Sequence, residues 1–176
     1  MIIVIEGASG VGKSTVVADA AARRDGVMVA APPVWSEFNS FAAEPARWAV
    51  RNQFSALAAT EAVLRQHSSE DALVLTDASV RRVQLFNQVL HQHGMLDDRQ
   101  ARDLEQVAQD VHMRTVHLIG LIVHLSCDEA ERRRRIAQRR RQLRAHATYW
   151  LVQDSADRLL AGVPADGSVV DICTNG

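Results

Sequence analysis

Lysine is all but missing from this sequence. Of 20 lysines and arginines, 19 are arginine, and the single lysine is Lys13. Elsewhere the chain uses a flat, forked guanidinium. At this one place it keeps a compact ammonium on a flexible stem, which suits a point-charge contact to phosphate. Cysteine is scarce as well. Cys127 and Cys173 each follow an apolar run and are expected to be reduced thiols rather than a disulfide. No apolar run is long enough to span a bilayer, and a strand-like run starting at residue 2 leaves no room for a signal peptide, so the expected compartment is the cytoplasm. A net charge of −1 argues against any global attraction to nucleic acid or membrane. There is no internal repeat and no low-complexity linker. The 176 residues are expected to form one domain, 1–176, with a proper core.

The lone lysine lies in the stretch around which the chain is organised. Gly7-Ala8-Ser9-Gly10-Val11-Gly12-Lys13-Ser14-Thr15 reads G-x-x-x-x-G-K-S, the Walker A phosphate loop. An apolar, β-branched run, Ile2-Ile3-Val4-Ile5, precedes it as a buried parallel strand would, and a helix-permissive run follows. Each part has a physical role. The glycines let backbone N–H groups turn inward around phosphate oxygens, and the helix N-terminus adds partial positive charge. Lys13 is placed to reach the β- and γ-phosphates of ATP, the Ser14 hydroxyl to bind Mg²⁺, and Thr15 to start the helix.

Beyond the loop, helical and strand-like segments alternate. A helix is expected to about residue 24, stopped by Asp25-Gly26, then a short strand over 27–30 ending at Pro32-Pro33. Residues 34–44 read as loop, and a long helix runs over about 45–67. The next strand, 72–77, ends in Asp77. Helices are expected over 80–93, with Gly94 as its cap, and over 97–117, opened by Asp97-Asp98. A fourth strand over 118–125, a very basic helix over 128–145, a helix over 149–160 and a last strand over 168–172 complete the chain. This alternation predicts an α/β fold with a parallel sheet and right-handed crossovers.

Four constellations carry chemistry. Asp77, at a strand's carboxyl end, fits the Walker B pattern and would face Ser14 across a metal, although Asp is also a common helix cap. The basic helix packs seven arginines into ten residues, 132–135 and 139–141. Such crowding costs stability unless anions compensate it. A lid closing over triphosphate would use the charge; a solvated face or a nucleic-acid patch are the other readings. On the long helix, Ala46, Ala49, Gln53, Ala56 and Thr60 share a face, with Val50, Phe54 and Leu57 as a heavier core stripe beside it. A small-residue face with one amide leaves room for a flat ligand, and the amide matches a base edge; equally, Gln53 is a satisfied helix glutamine. Finally, transfer to a hydroxyl wants a carboxylate to accept its proton. Glu37 is the first candidate, Asp77 the second and Glu44 the third. The histidines show no metal-ligand spacing.

On these residues the chain resembles the deoxynucleoside kinase and thymidylate kinase group of phosphate-loop kinases, over most of its length. Ile5-Glu6-Gly7 through Thr15 is similar to that family's loop. Trp48-Ala49 followed by Gln53 resembles its W-A-x-x-x-Q helix, in which the glutamine pairs with the nucleobase. Arg135-Ile136-Ala137-Gln138-Arg139-Arg140-Arg141 is similar to its R-I-x-x-R-x-R lid, and Phe86 with the run to Gly94 looks like the helix after its E-R-S motif. Two departures stand out. The triplet reads Asp77-Ala78-Ser79, so its arginine is missing and Arg81 or Arg82 would substitute. The family's catalytic glutamate position falls in Pro32-Pro33-Val34, so Glu37 would act from a few residues later.

The resemblance implies a P-loop NTPase fold, a three-layer αβα sandwich with a five-stranded parallel sheet and an Arg-rich lid segment at about 128–146. It implies an ATP- and Mg²⁺-dependent phosphotransferase acting on a hydroxyl of a nucleoside or nucleoside-like acceptor. The loop residues and Arg135 would hold ATP. Ser14 and Asp77 would hold the metal, and Glu37, Trp48, Gln53, Arg81 and Arg82 the acceptor. Lys13, Glu37, Asp77, Arg139 and Arg141 would serve the chemistry. A nucleoside monophosphate, antibiotic or sugar acceptor is the alternative, and a nucleotide-binding switch or a nucleic-acid-stimulated ATPase the readings from other classes. The expected partner is a small molecule, with neither membrane nor nucleic acid involved, and apolar helix faces around a small sheet suit a homodimer.

Overall fold

The β-branched run after Met1 forms the strand on which the rest is hung. In order, the elements are β1 (Ile2–Glu6), α1 (Lys13–Arg23), β2 (Val27–Val29), α2 (Glu37–Ala43), α3 (Pro45–Gln66), β3 (Leu73–Thr76), α4 (Val80–Gln92), α5 (Asp98–Thr115), β4 (Ile119–Ser126), α6 (Glu129–Gln142), α7 (Ala147–Ala161) and β5 (Val169–Cys173). The structure is a computed structural model. It describes all residues but 32–36, 70, 143–144, 162–168 and 174–176, and of 139–142, 161 and 169–173 the backbone alone. Pro32-Pro33-Val34 and Trp35 therefore lie outside the described residues.

All pairings are parallel and the sheet order is β2-β3-β1-β4-β5. Val4 lies opposite Thr76 of β3 on one side and Ile122 of β4 on the other. The connection from β1 leads one way along the sheet and that from β4 the other way. Their carboxyl ends therefore flank a crevice, the place where ligands bind in open parallel sheets.

Side chains of β1 alternate between two cores, as a strand period of two demands. Ile2 and Val4 pack with Val63 and Leu64 of α3, while Ile3 and Ile5 pack with Val16 and Val17 of α1. Helices thus cover both faces in an αβα arrangement. Leu64 has no exposed surface, and cutting such a leucine to alanine costs about 2–5 kcal/mol. The ends of the helices are written locally. Asp97 and Gln100 exchange hydrogen bonds in a capping box at the start of α5, and Gly94, at φ +68°, closes α4 with its N–H on the His91 carbonyl. No described helix is long and apolar enough to cross a membrane.

Three expectations need correction. Residues 37–43 are helix, not loop: Phe38, Phe41 and Ala42 give the segment an apolar side that packs with α7, and tertiary contact outweighs its weak helical signal. The first helix begins at Lys13 rather than Thr15, because Gly12 at φ +98° supplies the N-cap itself. On α3 the small-residue face is an inner one, and the heavier stripe is inner only in part: Leu57 is buried and Val50 half-buried, but Phe54 turns outward. Ala49, Gln53, Ala56 and Thr60 are buried, whereas Phe54 is 42 % exposed and Ala46 lies outside. Small residues let α3 approach α4 and α5 closely, where Ala56 and Leu57 meet Val80, Val83 and Ala108.

Candidate functional site

The loop fills the crevice beside β1. Glu6 ends the strand, and Gly7 at φ +134° makes the turn. A side chain there would strike the carbonyl oxygen of Leu125 at the end of β4, so only glycine lets the loop cross so closely. Ala8 and Val11 are buried anchors, while Ser14 and Thr15 stand exposed on the first turn of α1. The Lys13 ammonium arches back over the loop, its Nζ donating to the carbonyls of Gly7 at 2.8 Å and Ala8 at 2.9 Å.

Helix α6 sits against this loop. Gly10, at φ +85°, leaves space so tight that an added Cβ would lie 3.1 Å from the Arg132 carbonyl and 3.2 Å from Ile136. Arg135 donates from Nη1 to the Gly10 carbonyl at 3.2 Å. The crowded arginines find their anions within the helix. Glu129 accepts from Arg132 and Arg133, each at 2.7 Å, and Glu131 from Arg134 at 2.7 Å and Arg135 at 2.6 Å. These hydrogen bonds, from Arg132 then Arg133 on Glu129 and from Arg134 then Arg135 on Glu131, pull each carboxyl from 4.5 down to about 2. The side chains of Arg139 and Arg141 lie outside the described residues; the backbone of α6 carries both past the end that meets the loop.

Helix α7 comes to the same loop from another direction. Its inner stripe of Tyr149, Val152, Ala156 and Leu160 is interrupted by Gln153 and Asp157, both buried. Asp157 Oδ1 accepts the Ser9 backbone N–H at 2.8 Å and a Gln153 Nε2 hydrogen at 3.1 Å; Gln153 also donates to the Ser9 hydroxyl at 2.8 Å. The other oxygen, Oδ2, lies 3.6 Å from Arg132 Nη1.

The opposite face carries the candidate acceptor residues. β3 delivers Asp77, half-buried, beside the strand that enters the loop, and Ser79 caps α4 by accepting from the Arg82 N–H at 3.2 Å. The Ser79 hydroxyl also donates to Glu6, whose second oxygen lies 3.9 Å from Arg81. Of the two substitute arginines, Arg81 therefore turns toward the sheet, while Arg82 lies over the Phe86 ring at 6.0 Å. Gln53 is 2 % exposed on the inner face of α3. Trp48 packs against the cluster that contains Phe41, Leu90 and Tyr149, with Arg47 and Arg51 over its ring at 5.7 and 5.6 Å. Glu37 opens α2, half-buried.

Of the residues expected from the sequence, Arg135 meets the loop and Asp77 follows β3, the strand beside β1. Sequence reasoning gives no role to Glu6, Gln153 or Asp157, and names Arg132 only as one of the run of lid arginines. For the α7 pair a signal existed: two polar residues four apart inside an apolar stripe. For Glu6 it was an acid closing an all-apolar strand. Among the described residues no group of three or more His, Cys, Asp or Glu is placed to hold a metal ion.

Comparison with known proteins supports the fold. No curated protein sequence matches the chain significantly. Among solved structures, deoxyadenosine kinase from M. mycoides with bound dATP superposes with a TM-score of 0.76 at 18 % identity, covering 98 % of this chain and 91 % of that one. The same kinase with products dCMP and a flexible dCDP gives 0.73 at 19 % identity, and with bound dCTP 0.71 at 16 %, each covering 98 % of this chain and 90 % of the other. At such identity these likenesses establish the fold. The family model described as deoxynucleoside kinase matches residues 3–150, from β1 into α7. The chain therefore belongs to the deoxynucleoside kinase family, ATP-dependent enzymes that pass a phosphoryl group to a nucleoside.

Proposed function

We propose that this kinase moves the γ-phosphoryl group of ATP to a hydroxyl of a deoxynucleoside, with one domain, 1–176, supplying both binding sides. The observation that carries this reading is the glycine-built loop at the carboxyl end of β1, with Lys13 folded over it and Arg135 set against it. Backbone N–H groups at the start of α1 and the Lys13 ammonium bind phosphate oxygens. The guanidinium groups of α6, Arg135 first and Arg139 and Arg141 beyond it, neutralise charge at the transferring phosphoryl.

Mg²⁺ fits the oxygens available. Ser14 gives an exposed hydroxyl and Asp77 a half-buried carboxylate, both hard donors. Magnesium is commonly held by one or two protein oxygens together with phosphates and water. When bound, it supplies charge neutralisation across the phosphates. Glu37 accepts the acceptor hydroxyl's proton. Gln53, held inside on α3, reads the base with its paired donor and acceptor, and Arg81 stands in for the arginine absent after Asp77.

The solved relatives with dATP, dCTP and dCMP make deoxyadenosine and deoxycytidine the first acceptors to try. ATP consumption with Mg²⁺ is measured against a panel of nucleosides, nucleoside monophosphates and other hydroxyl compounds. A deoxynucleoside hit with no turnover of its monophosphate supports the reading; phosphorylation of monophosphates alone overturns it.

A further inference from the structure

The loop meets the α6 arginines directly, but it also meets a carboxylate that the reading above does not use. Asp157 has a side chain with no exposed surface, and it lies 148 positions from Ser9 in the chain. Its two oxygens face different elements. Oδ1 takes the Ser9 peptide N–H at 2.8 Å, with Gln153 steadying both the carboxylate and the Ser9 hydroxyl. Oδ2 makes no hydrogen bond and faces Arg132 Nη1 across 3.6 Å; that Nη1 makes none either. Arg132 is itself largely covered, its side chain 15 % exposed, and Glu129 holds its other edge at 2.7 and 3.1 Å.

A buried ionised carboxylate is costly unless paired and hydrogen-bonded. Such a group kept at the meeting point of loop, lid and α7 is therefore placed against a cost, and its geometry divides one charge between the first two. Ser9 is buried at the third residue of the motif, ahead of Gly12, Lys13 and Ser14 at the start of α1. Fixing it sets the path the loop takes into Gly10, and Gly10 is where α6 lands.

We propose that Asp157 is a positioning residue for phosphoryl transfer, one carboxylate oxygen fixing the Ser9 peptide of the phosphate loop and the other holding Arg132, so that loop and lid helix are set relative to each other by a single buried group. The inference rests on the phosphate-loop reading. It predicts two separable losses. Asp157→Asn keeps an oxygen for the Ser9 N–H but drops the charge that faces Arg132, so the lid loses its alignment while the loop keeps its own. Asp157→Ala loses both.

Steady-state kinetics with the best acceptor, ADP binding by calorimetry and thermal melting are measured on the wild type, both Asp157 variants, Arg132→Gln and the double variant Asp157→Asn with Arg132→Gln. Asp157→Asn is expected to lower kcat about tenfold with the KM for ATP within about threefold, the pattern of a group acting in the transition state. Asp157→Ala is expected to raise that KM about tenfold further, with matching loss of ADP affinity. Because Asp157→Asn and Arg132→Gln disable the same link from its two ends, the double variant is expected to be no worse than the poorer single one. Multiplicative losses in the double variant overturn the proposal. So does a kcat for Asp157→Asn within about twofold of wild type, whatever the change in melting temperature. Should Asp157→Ala fail to fold, Asp157→Asn and the double variant decide alone. If the wild type binds no ADP, the phosphate-loop reading itself has failed; if it binds and the variants match it in every parameter, only the role of Asp157 has.

Discussion

The two sides of the crevice are built by different means. The proposed phosphate side is made largely of backbone: a strand end, glycines at positive φ and the first turn of a helix, all within the eleven residues Glu6 to Val16. The proposed acceptor side draws on side chains from separate places, Glu37 on α2, Gln53 on α3 and Arg81 on α4. Phosphate presents the same oxygens in every nucleotide, so a fixed backbone cradle suits it. A nucleoside differs in its base edge, and side chains on separate elements can be exchanged without disturbing the loop.

The contrast is broken most sharply at Lys13. Lys13→Ala is expected to lower kcat/KM by about 10³ or more, losing charge at the transferring phosphoryl, with circular dichroism unchanged. Near-normal activity would remove the phosphate side from the mechanism altogether. Next come the two acids. Glu37→Gln is expected to cut kcat by about 10² as the loss of a proton acceptor. Asp77→Asn should instead show a raised Mg²⁺ requirement. If Asp77→Asn proves the worse at saturating Mg²⁺ and Glu37→Gln is silent, the two roles are reversed.

A smaller effect separates the sides from the acceptor end. Gln53→Leu should change the ranking of acceptors and raise the acceptor KM about tenfold, leaving the KM for ATP untouched. A parallel rise in both would mean that Gln53 supports the fold rather than reading a base. The smallest effect belongs to the lid. Glu129 and Glu131 are held at about 2 against an ordinary 4.5, so their ion pairs stabilise α6 above pH 4.5 and are lost as pH falls through about 2. Because Arg133 and Arg134, and Glu129 with them, stand exposed to solvent, the change is slight. Circular dichroism between those pH values should show a small loss of helix, absent in a Glu129→Gln, Glu131→Gln variant.

The same contrast decides what the sequence could reveal. Gly7 to Thr15 is contiguous, its spacing is set by phosphate geometry, and it is legible at sight. The strands are legible because buried parallel strands are short apolar runs, as 73–76 and 119–126 are. The inward turn of α3 was not, since Phe54 is larger and more apolar than Ala49 or Ala56, and only the close approach of α4 and α5 makes the small face an inner one. Asp157 showed in the sequence only as a polar residue within the apolar stripe of α7, and its contact with the loop did not show for a different reason. It bonds to Ser9, near the other end of the chain, and no local pattern joins the two. The arginine crowding of α6 looked like an unmet demand for external anions; Glu129 and Glu131 meet much of it at helical spacing.

The lysine-poor composition leaves this protein with an unusual chemical handle. Lys13 is the one lysine of the sequence, turned back onto the Gly7 and Ala8 carbonyls. An amine-selective acylating reagent therefore has one side-chain amine to find in the sequence, and that amine lies in the proposed phosphate loop. Mass added at Lys13 and suppressed by nucleotide would read site occupancy directly from the intact protein, without an engineered tag.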